Sequence, residues 1–549
     1  MTNTFPKKET LMIEFKSDRR CLSDNDIIDA VVGLANTEGG MLYLGIEDNG
    51  VVTGLHQNHF DVLKMNVLVV NKTVPSLSVR IDIVPYNNIN VMVFEVPKSQ
   101  TIVATSNGKV LKRRLKANGE PENVPMFPYE YNSRLSDLGR LDFSRQPLAE
   151  TSLDDFDNNE VLRLRKTIEK RNGDKSLLEL SDEELFRALS LIVDVNNKSV
   201  PTVTGLLLIG KEESIEKYLP TAQSAFQVLQ GTNIRVNEQI RKPLIATFDF
   251  FEQMLKPWNP EREFTFGLLQ IPIPEFDSKA FREALINAFS HRDYSMLQMT
   301  RVLIDDEGLT ISNPGAFISG VNLKNLITAD PHGRNPTLAD ALKRIGLAER
   351  TGRGIDRIFE GSIIYGRPLP DYSESNETSV KVFIPRALPD IAFFQMILDR
   401  QSNLSQPLSI NQLLALSILR TNRKVTLSEI LKTFYIPESK MKTAIEALVE
   451  MGLIETVGSG RNKEYMLSVK VYKTNNKIIE YVHQKGIDEV KRPEMIMQLV
   501  KTQGFVQIKD VEKLLNVTNT QARTLIKKLI IEEKLKKVGV ARNTRYVEA

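Results

Sequence analysis

Three carboxylates and a lysine near the start of the chain are residue types that phosphate chemistry uses. Glu9 and Glu14 lie in ETLMIEFKS with Lys16 close behind, and Asp48 lies further along in GIEDNG. Carboxylates gathered around Mg²⁺ or Mn²⁺ activate water for attack on phosphorus, and a lysine beside them steadies the pentacovalent charge. Glu47 is the weaker candidate for the third acid. The same residues also have a structural reading, because Glu14 and Lys16 share a strand face and can pair with each other and with Arg113 or Arg114. Lys112, Arg113 and Arg114, in VLKRRLK, are cations suited to phosphate under either reading.

A second constellation lies in FREALINAFSHRDYS, residues 281–295. Phe281, Ala284, Leu285, Ala288 and Phe289 recur at helical spacing, while Glu283, Asn287 and His291 step by four along another face. One face packs and the other presents chemistry. An acid one turn before a carboxamide suits a nucleotide site in which Asn287 holds Mg²⁺ and Glu283 polarises a water. The triplet His291-Arg292-Asp293 mimics a protein-kinase catalytic loop, but Gln298 stands where that loop needs its metal-binding Asn, so the match is a coincidence.

These residues need elements to hold them. LMIEFK alternates as a strand, with Leu11, Ile13 and Phe15 on one face and Met12, Glu14 and Lys16 on the other. A helix follows, and ANTEGGMLYLGIEDNGVVTGL then makes a Gly-Gly turn and a hairpin turning at Asn49-Gly50. Residues 150–270 read as a mixed connector, with a capped helix in SLLELSDEELFRALSLI and a buried strand in TVTGLLLIGK. TRVLIDDEGLTISN reads as a hairpin, and QSNLSQP as a linker.

Beyond that linker the chain repeats itself. Sliding it by 81 residues lays Val425 on Val506, Ile430 on Val511, Leu448 on Leu529, Gly458 on Gly539 and Tyr465 on Tyr546 without a gap. Each copy reads as helix, short helix, turn, third helix and two short strands, the winged helix-turn-helix pattern, and an apolar helix precedes each. The third helices offer Ser439, Lys440 and Lys442, or Thr520, Gln521 and Arg523, to a major groove. The wings add Arg461 and Lys463, and Arg542 and Arg545. Residues 401–549 hold 25 Lys and Arg against 15 Asp and Glu, whereas the whole 549-residue chain carries only +3, so the tail is where nucleic acid is expected. DNA is the expected partner, with RNA as the second choice and a homo-oligomer left open.

The single cysteine, Cys21, excludes internal disulfides and thiolate-built zinc sites, and His56 and His59 read as loop polarity. No stretch has the run of apolar residues that a membrane span needs, and a cytoplasmic location is expected.

Two resemblances add to this reading. E-x-x-x-x-E-F-K followed by A-N-T-x-G-G-x-L-x-x-G-I-x-D-x-G closely resembles the Schlafen AlbA-like domain over roughly residues 5–125. That likeness implies a nuclease-like role for Glu9, Glu14 and Asp48 with Lys16. FREALINAFSHRDYS resembles the N box of the GHKL ATPases, in the bacterial subfamily where a Schlafen AlbA-like domain precedes a divergent GHKL domain and winged helices. It implies ATP with Mg²⁺, an adenine box at ISNPGAF with Asn313 and Gly315, and a lid with Gly352 and Gly354. Asn313-Pro314-Gly315 departs from the usual Asp-x-Gly and cannot offer a carboxylate to adenine.

The expected architecture is therefore α+β multidomain. An AlbA-like domain spans 1–130, a connector 131–265, a GHKL-like α/β sandwich 266–395, and tandem winged helices 405–470 and 475–549. The expected function is nucleotide-responsive DNA binding, as a transcriptional regulator or in antiviral defence. The alternative is a metal-dependent endonuclease targeted by the winged helices.

Overall fold

The computed structural model describes residues 5–116, 118–171, 173–266, 269–318, 320–329, 333–348, 354–403, 407–422, 424–458, 463–468, 492–515, 517–539 and 544–549. Gly352, Arg461 and Arg542 lie outside these residues. The chain divides into two units, one of Met1–Gln146 with Asp293–Met296, the other of Pro147–Arg292 with Leu297–Ala549.

The first unit is built on a mixed sheet. Strand β1 (Ile13–Lys16) is shorter than the alternation suggests, because Thr10 and Ile13 pair across a turn and take up Leu11 and Met12. Helix α1 (Asp24–Ala35) starts at the Ser23 cap and leads to β2 (Gly40–Leu44), which runs parallel to β1. Gly40 is required where they meet: its φ is 139°, and a Cβ there would collide with the Met12 carbonyl oxygen. Helix α2 (Val62–Lys72), the short strand β3 (Thr73–Val74) and the hairpin of β4 (Arg80–Tyr86) and β5 (Ile89–Val96) follow, giving the order β1-β2-β5-β4. Strand β6 (Ala104–Thr105) pairs with β3, and β7 (Leu111–Leu115) pairs with β8 (Pro121–Pro125). Helix α3 (Pro128–Asp137) closes the unit. The core packs the apolar face of α1 against Leu42, Leu44, Met92 and Phe94.

The second unit opens with α4 (Asn158–Lys170), α5 (Asp182–Ala188), the hairpin β9 (Ile192–Val195) and β10 (Lys198–Pro201), then α6 (Val203–Ile209) and α7 (Glu212–Tyr218). Ser181 and Glu184 form the capping box of α5. The expected strand in TVTGLLLIGK is instead α6. Every residue of it is buried, so no polar face marks its period, and the decisive signal is the Thr202 cap, whose hydroxyl accepts from Gly205 N at 3.1 Å.

Next come β11 (Ser224–Gln230), β12 (Asn233–Ile240), α8 (Leu244–Leu255), the hairpin β13 (Glu261–Phe266) and β14 (Leu269–Pro274), and α9 (Ser278–Ser290). The expected hairpin forms from β15 (Thr300–Ile304) and β16 (Gly308–Pro314). After it come α10 (Pro336–Arg344), α11 (Gly354–Ile363) and β17 (Ser379–Pro385). Five strands make one mixed sheet, ordered β12-β11-β15-β16-β17. Helix α9 packs on β16, and α8 and α11 pack on α9.

Helices α12 (Ile391–Asn403) and α13 (Ile410–Thr421) lead into β18 (Val425–Thr426), α14 (Leu427–Phe434), α15 (Glu438–Glu450), β19 (Ile454–Val457) and β20 (Glu464–Leu467). A helix at Arg492–Gln503 precedes helices Ile508–Leu515 and Asn519–Ile531 and strands Leu535–Val538 and Arg545–Glu548. The last four elements begin and end 81 residues after α14, α15, β19 and β20. Tyr465 pairs with Val425, and Tyr546 pairs with Val506 in the same place.

Thr426 and Glu429 cap α14 reciprocally, and these hydrogen bonds hold the Glu429 carboxyl below its ordinary range. Thr426→Ala should cost about 1 kcal/mol locally, read as faster amide exchange in α14 of the full chain. Among the described residues no helix is long and apolar enough to cross a membrane.

Candidate functional site

In the first unit the expected reaction centre resolves into a set of structural ties. Glu9 Oε1 accepts from the Phe15 backbone N–H at 2.7 Å, closing the turn before β1. Glu14 is buried; Lys16 Nζ lies 2.5 Å from its Oε1, and Arg113 Nη1 pairs with its other oxygen. Arg113 Nη2 also donates to the carbonyls of Thr10 (2.8 Å) and Ile13 (3.2 Å). Burial lowers the Arg113 guanidinium to about 10, and the charge of Glu9 opposes that shift. Expected as a phosphate contact, Arg113 is instead 2% exposed and anchors the N-terminal strand.

The A-N-T motif extends the same framework. Asn36 Nδ2 donates to the carbonyls of Val103 and Leu111, and its Oδ1 accepts from Val103 N. Thr37 Oγ1 accepts from Arg113 N at 2.8 Å. The signature that marks this region is therefore, in this chain, a set of ties between β1, α1 and β7. Lys112 pairs with Glu130 at 2.5 Å and Arg114 with Glu122 at 2.8 Å.

Asp48 is exposed at the hairpin turn. Its neighbour Glu47 is tied in place: Oε1 accepts from Thr53 Oγ1 (2.6 Å) and Ser17 Oγ (2.8 Å), and these bonds with Arg19 keep its carboxyl below the ordinary range. Among the described residues no group of three or more His, Cys, Asp or Glu side chains is arranged to hold a metal ion. Glu9, Glu14 and Asp48 are thus not brought together as a Mg²⁺ or Mn²⁺ site.

In the second unit α9 is helical as its periodicity predicts, capped by Asp277, with its apolar residues buried and Asn287 and His291 half-buried on the other face. Glu283 is buried. It lies against the first residue of α11, where a Cβ on Gly354 would collide with Glu283 Oε1. Burial of Tyr372 pushes its hydroxyl up, and the charge of Glu283 adds to that shift. A carboxylate at a helix N-terminus is favoured by the backbone dipole, so Glu283 joins α9 to α11. Gly354→Ala should overpack this junction and cost about 1 to 3 kcal/mol, measured by urea unfolding of the full chain.

Asn313 is buried and donates through Nδ2 to the Pro314 carbonyl at 3.0 Å, and Gly315 N donates to Thr378 O. A Cβ on Gly333 would lie 3.5 Å from the His291 ring, which places that loop beside α9. Asn335 Nδ2 donates to the carbonyls of Ser290 and Arg292, tying the start of α10 to the end of α9.

The kinase-like triplet has structural work. The Arg292 side chain, fully buried, donates to Thr221 O, Gln223 O, Gln298 O and Thr300 Oγ1. Asp293, in the first unit, accepts from Ser133 Oγ at 2.5 Å and Ser295 N at 2.9 Å.

In the tail several of the candidate side chains are exposed. Ser439, Lys440, Lys442 and Thr443 are exposed along α15, while Met441, Ala444, Ile445 and Leu448 are buried. Lys463 is exposed in the wing, its Nζ 5.4 Å from the Tyr465 ring. In the second copy Arg523 is exposed and donates to Asn519 Oδ1, and the Arg545 guanidinium lies 4.3 Å from the Phe505 ring. Gln521 lies in the corresponding helix, but its side chain is outside the described residues. Between α14 and α15, Tyr435 adopts a left-handed φ of 47°, and the Lys324 ammonium sits 5.3 Å from its ring. Arg420 of α13 pairs with Asp390, just before α12, at 3.7 Å.

Four stretches of the chain match known family models. Residues 9–121 match the family "Schlafen, AlbA_2", and residues 133–225 match a domain of unknown function, DUF8451. Residues 299–384 match the family HATPase_c_4, described as "Putative ATP-dependent DNA helicase recG C-terminal", and residues 408–469 match "Winged helix DNA-binding domain". Helix α9 precedes the third of these matches, so Glu283, Asn287 and His291 lie outside it. No curated protein matches the chain. Among solved structures, the DIP2311 protein from Corynebacterium diphtheriae is 18% identical with a TM-score of 0.50; the match covers 98% of this chain and 95% of that one, a likeness of fold. The chain thus carries, in order, a Schlafen AlbA-like region, an ATPase-like region and a winged-helix DNA-binding region.

Proposed function

We propose that the protein is a nucleotide-responsive DNA-binding regulator. The observation that carries this reading is the contact of Lys324, in the ATPase-like region, with Tyr435, at the turn that leads into α15, whose exposed face carries Lys440 and Lys442. A loop of the ATPase-like region thus touches the turn between α14 and α15, which supports a joint between nucleotide and DNA binding. Adenine nucleotide with Mg²⁺ would bind along the polar face of α9. Asn287 is the residue that would hold the metal, with nucleotide phosphates supplying its other oxygens, and His291 and Gly315 would border the nucleotide. The burial of Glu283 against Gly354 favours binding of the nucleotide as the signal over its hydrolysis.

The 81-residue spacing of every element from α14 onward supports a second winged helix at 492–549. Two reading heads on one chain raise the effective concentration of each at adjacent DNA sites. A transcriptional role follows most simply from this arrangement.

Nucleotide can shift DNA affinity only if it prefers one arrangement of the joint. The test is anisotropy of a labelled duplex titrated with the full chain, with and without ATP and Mg²⁺. ATP should change Kd several-fold in wild type and much less in Lys324→Ala or Asn287→Ala. An identical Kd with and without ATP in wild type would remove the nucleotide response, and no binding to any duplex would remove DNA.

A further inference from the structure

The chain's single cysteine does not stand alone: it ends a series of hydrogen-bonded groups that neither the nucleotide nor the DNA reading uses. Asp18 is fully buried, and its carboxylate accepts from Leu22 N (2.9 Å), His56 N (2.7 Å) and His59 Nδ1 (2.9 Å and 3.0 Å). With Nδ1–H donating to Asp18, the remaining ring nitrogen is an acceptor. That nitrogen, Nε2, lies 3.8 Å from Cys21 Sγ, so the thiol donates to it. His59 is 3% exposed, whereas Cys21 is half-buried and open to small molecules. Nucleophile, base and an acid that orients the base are thus in series, the arrangement that activates a thiol.

The four residues come from two neighbouring loops. Asp18 and Cys21 follow the carboxyl end of β1, and His56 and His59 follow the hairpin beyond the carboxyl end of β2, which runs parallel to β1. Cys21 itself is held at φ 55°, in a left-handed conformation uncommon for a residue with a Cβ.

Two chemistries suit such a thiol, and the backbone selects between them. Acyl transfer needs N–H donors aimed at a developing oxyanion, but the Cys21 amide donates to Asp18 O at 3.2 Å. Thiol–disulfide exchange needs no such donors. The exposed Asn58 Nδ2 lies 3.7 Å from Cys21 Sγ, where it solvates a thiolate.

We propose that Cys21 is a nucleophilic thiol, set by His59 and Asp18, that exchanges with small disulfides to give a mixed disulfide. The Cys21 proton passes to His59 Nε2 and the sulfur lone pair attacks one sulfur of the disulfide. The S–S bond breaks, and the departing thiolate takes the proton from His59. One Cys21 thiol and one disulfide become one mixed disulfide and one free thiol. With no second cysteine in the chain, the adduct persists until an external thiol removes it.

The test uses the native full chain and dithiobis(nitrobenzoate), following release of the coloured thiolate by stopped flow and the adduct by intact mass. One adduct per chain should form, absent from Cys21→Ser, at a rate about tenfold or more above that of N-acetylcysteine and of the urea-unfolded chain. His59→Gln and Asp18→Asn should fall to the unfolded-chain rate while circular dichroism is unchanged. A native rate no faster than the unfolded one, or a folded His59→Gln as fast as wild type, would overturn the proposal. If His59→Gln fails to fold, the native-to-unfolded ratio in wild type decides alone.

Discussion

Arg113→Ala is expected to destabilise the first unit by about 3 to 5 kcal/mol, enough to leave much of it unfolded under conditions where the wild type is intact. The substitution removes the counter-charge from a buried carboxylate, Glu14, and takes one of two donors from the carbonyls of Thr10 and Ile13, which keep only each other's backbone N–H. Lys16 remains near Glu14 but is partly exposed and cannot reach the carbonyls in the same way. Urea unfolding followed by amide exchange in β1 and β2 measures the loss. The companion Glu14→Gln/Arg113→Met should recover most of it, because two apolar or neutral groups leave no unpaired charge inside. If Arg113→Ala were as stable as wild type, the ties around β1 would not hold the unit together.

The second expectation concerns the tail. Lys440→Glu/Lys442→Glu should weaken duplex binding by the full chain at least about tenfold and lower the slope of log K against log salt by about 2, one unit for each phosphate that no longer has a lysine beside it. Both side chains are exposed on α15, opposite the buried Met441, Ala444 and Ile445, so folding should be unaffected. The weakening should be nearly the same for different DNA sequences if these lysines hold phosphates, and uneven if they read base edges. Unchanged affinity at low salt would move the DNA-binding surface elsewhere.

Much of the fold is legible from residue order, for reasons that differ from element to element. The repeat in the tail survives translation into structure because a winged-helix pattern is local: its caps, turns and apolar periods all lie within a short window. Helix α9 is likewise readable from its period. Helix α6 is not, since a run buried on all sides has no polar face to reveal its pitch.

The carboxylates of the first unit leave two sequence readings open, for a different reason. Their partners come from Arg113, about a hundred residues away, and a spacing within one strand cannot say whether an acid faces a metal or a buried guanidinium. His56 and His59 read as loop polarity, and their link through Asp18 to Cys21 does not show in residue order. The signal present in the sequence is the solitary cysteine three residues after an aspartate, and it becomes meaningful only once the loops after β1 and β2 are side by side.

The same long-range ties bear on the order in which the first unit is made. Glu14, Thr10 and Ile13 leave the ribosome well before Arg113, so β1 can pair with β2 but cannot be secured until β7 has been synthesised and folded back. Closing so long a loop is entropically costly and slow, which makes β1 a late-docking element despite being the first strand of the chain. A fragment ending before Leu111 would hold every residue of the four-stranded sheet and still lack Arg113, the buried one of the two cations that pair with Glu14. The first hundred residues are therefore expected not to fold by themselves, and shortened versions of this region should be cut after the β7–β8 hairpin.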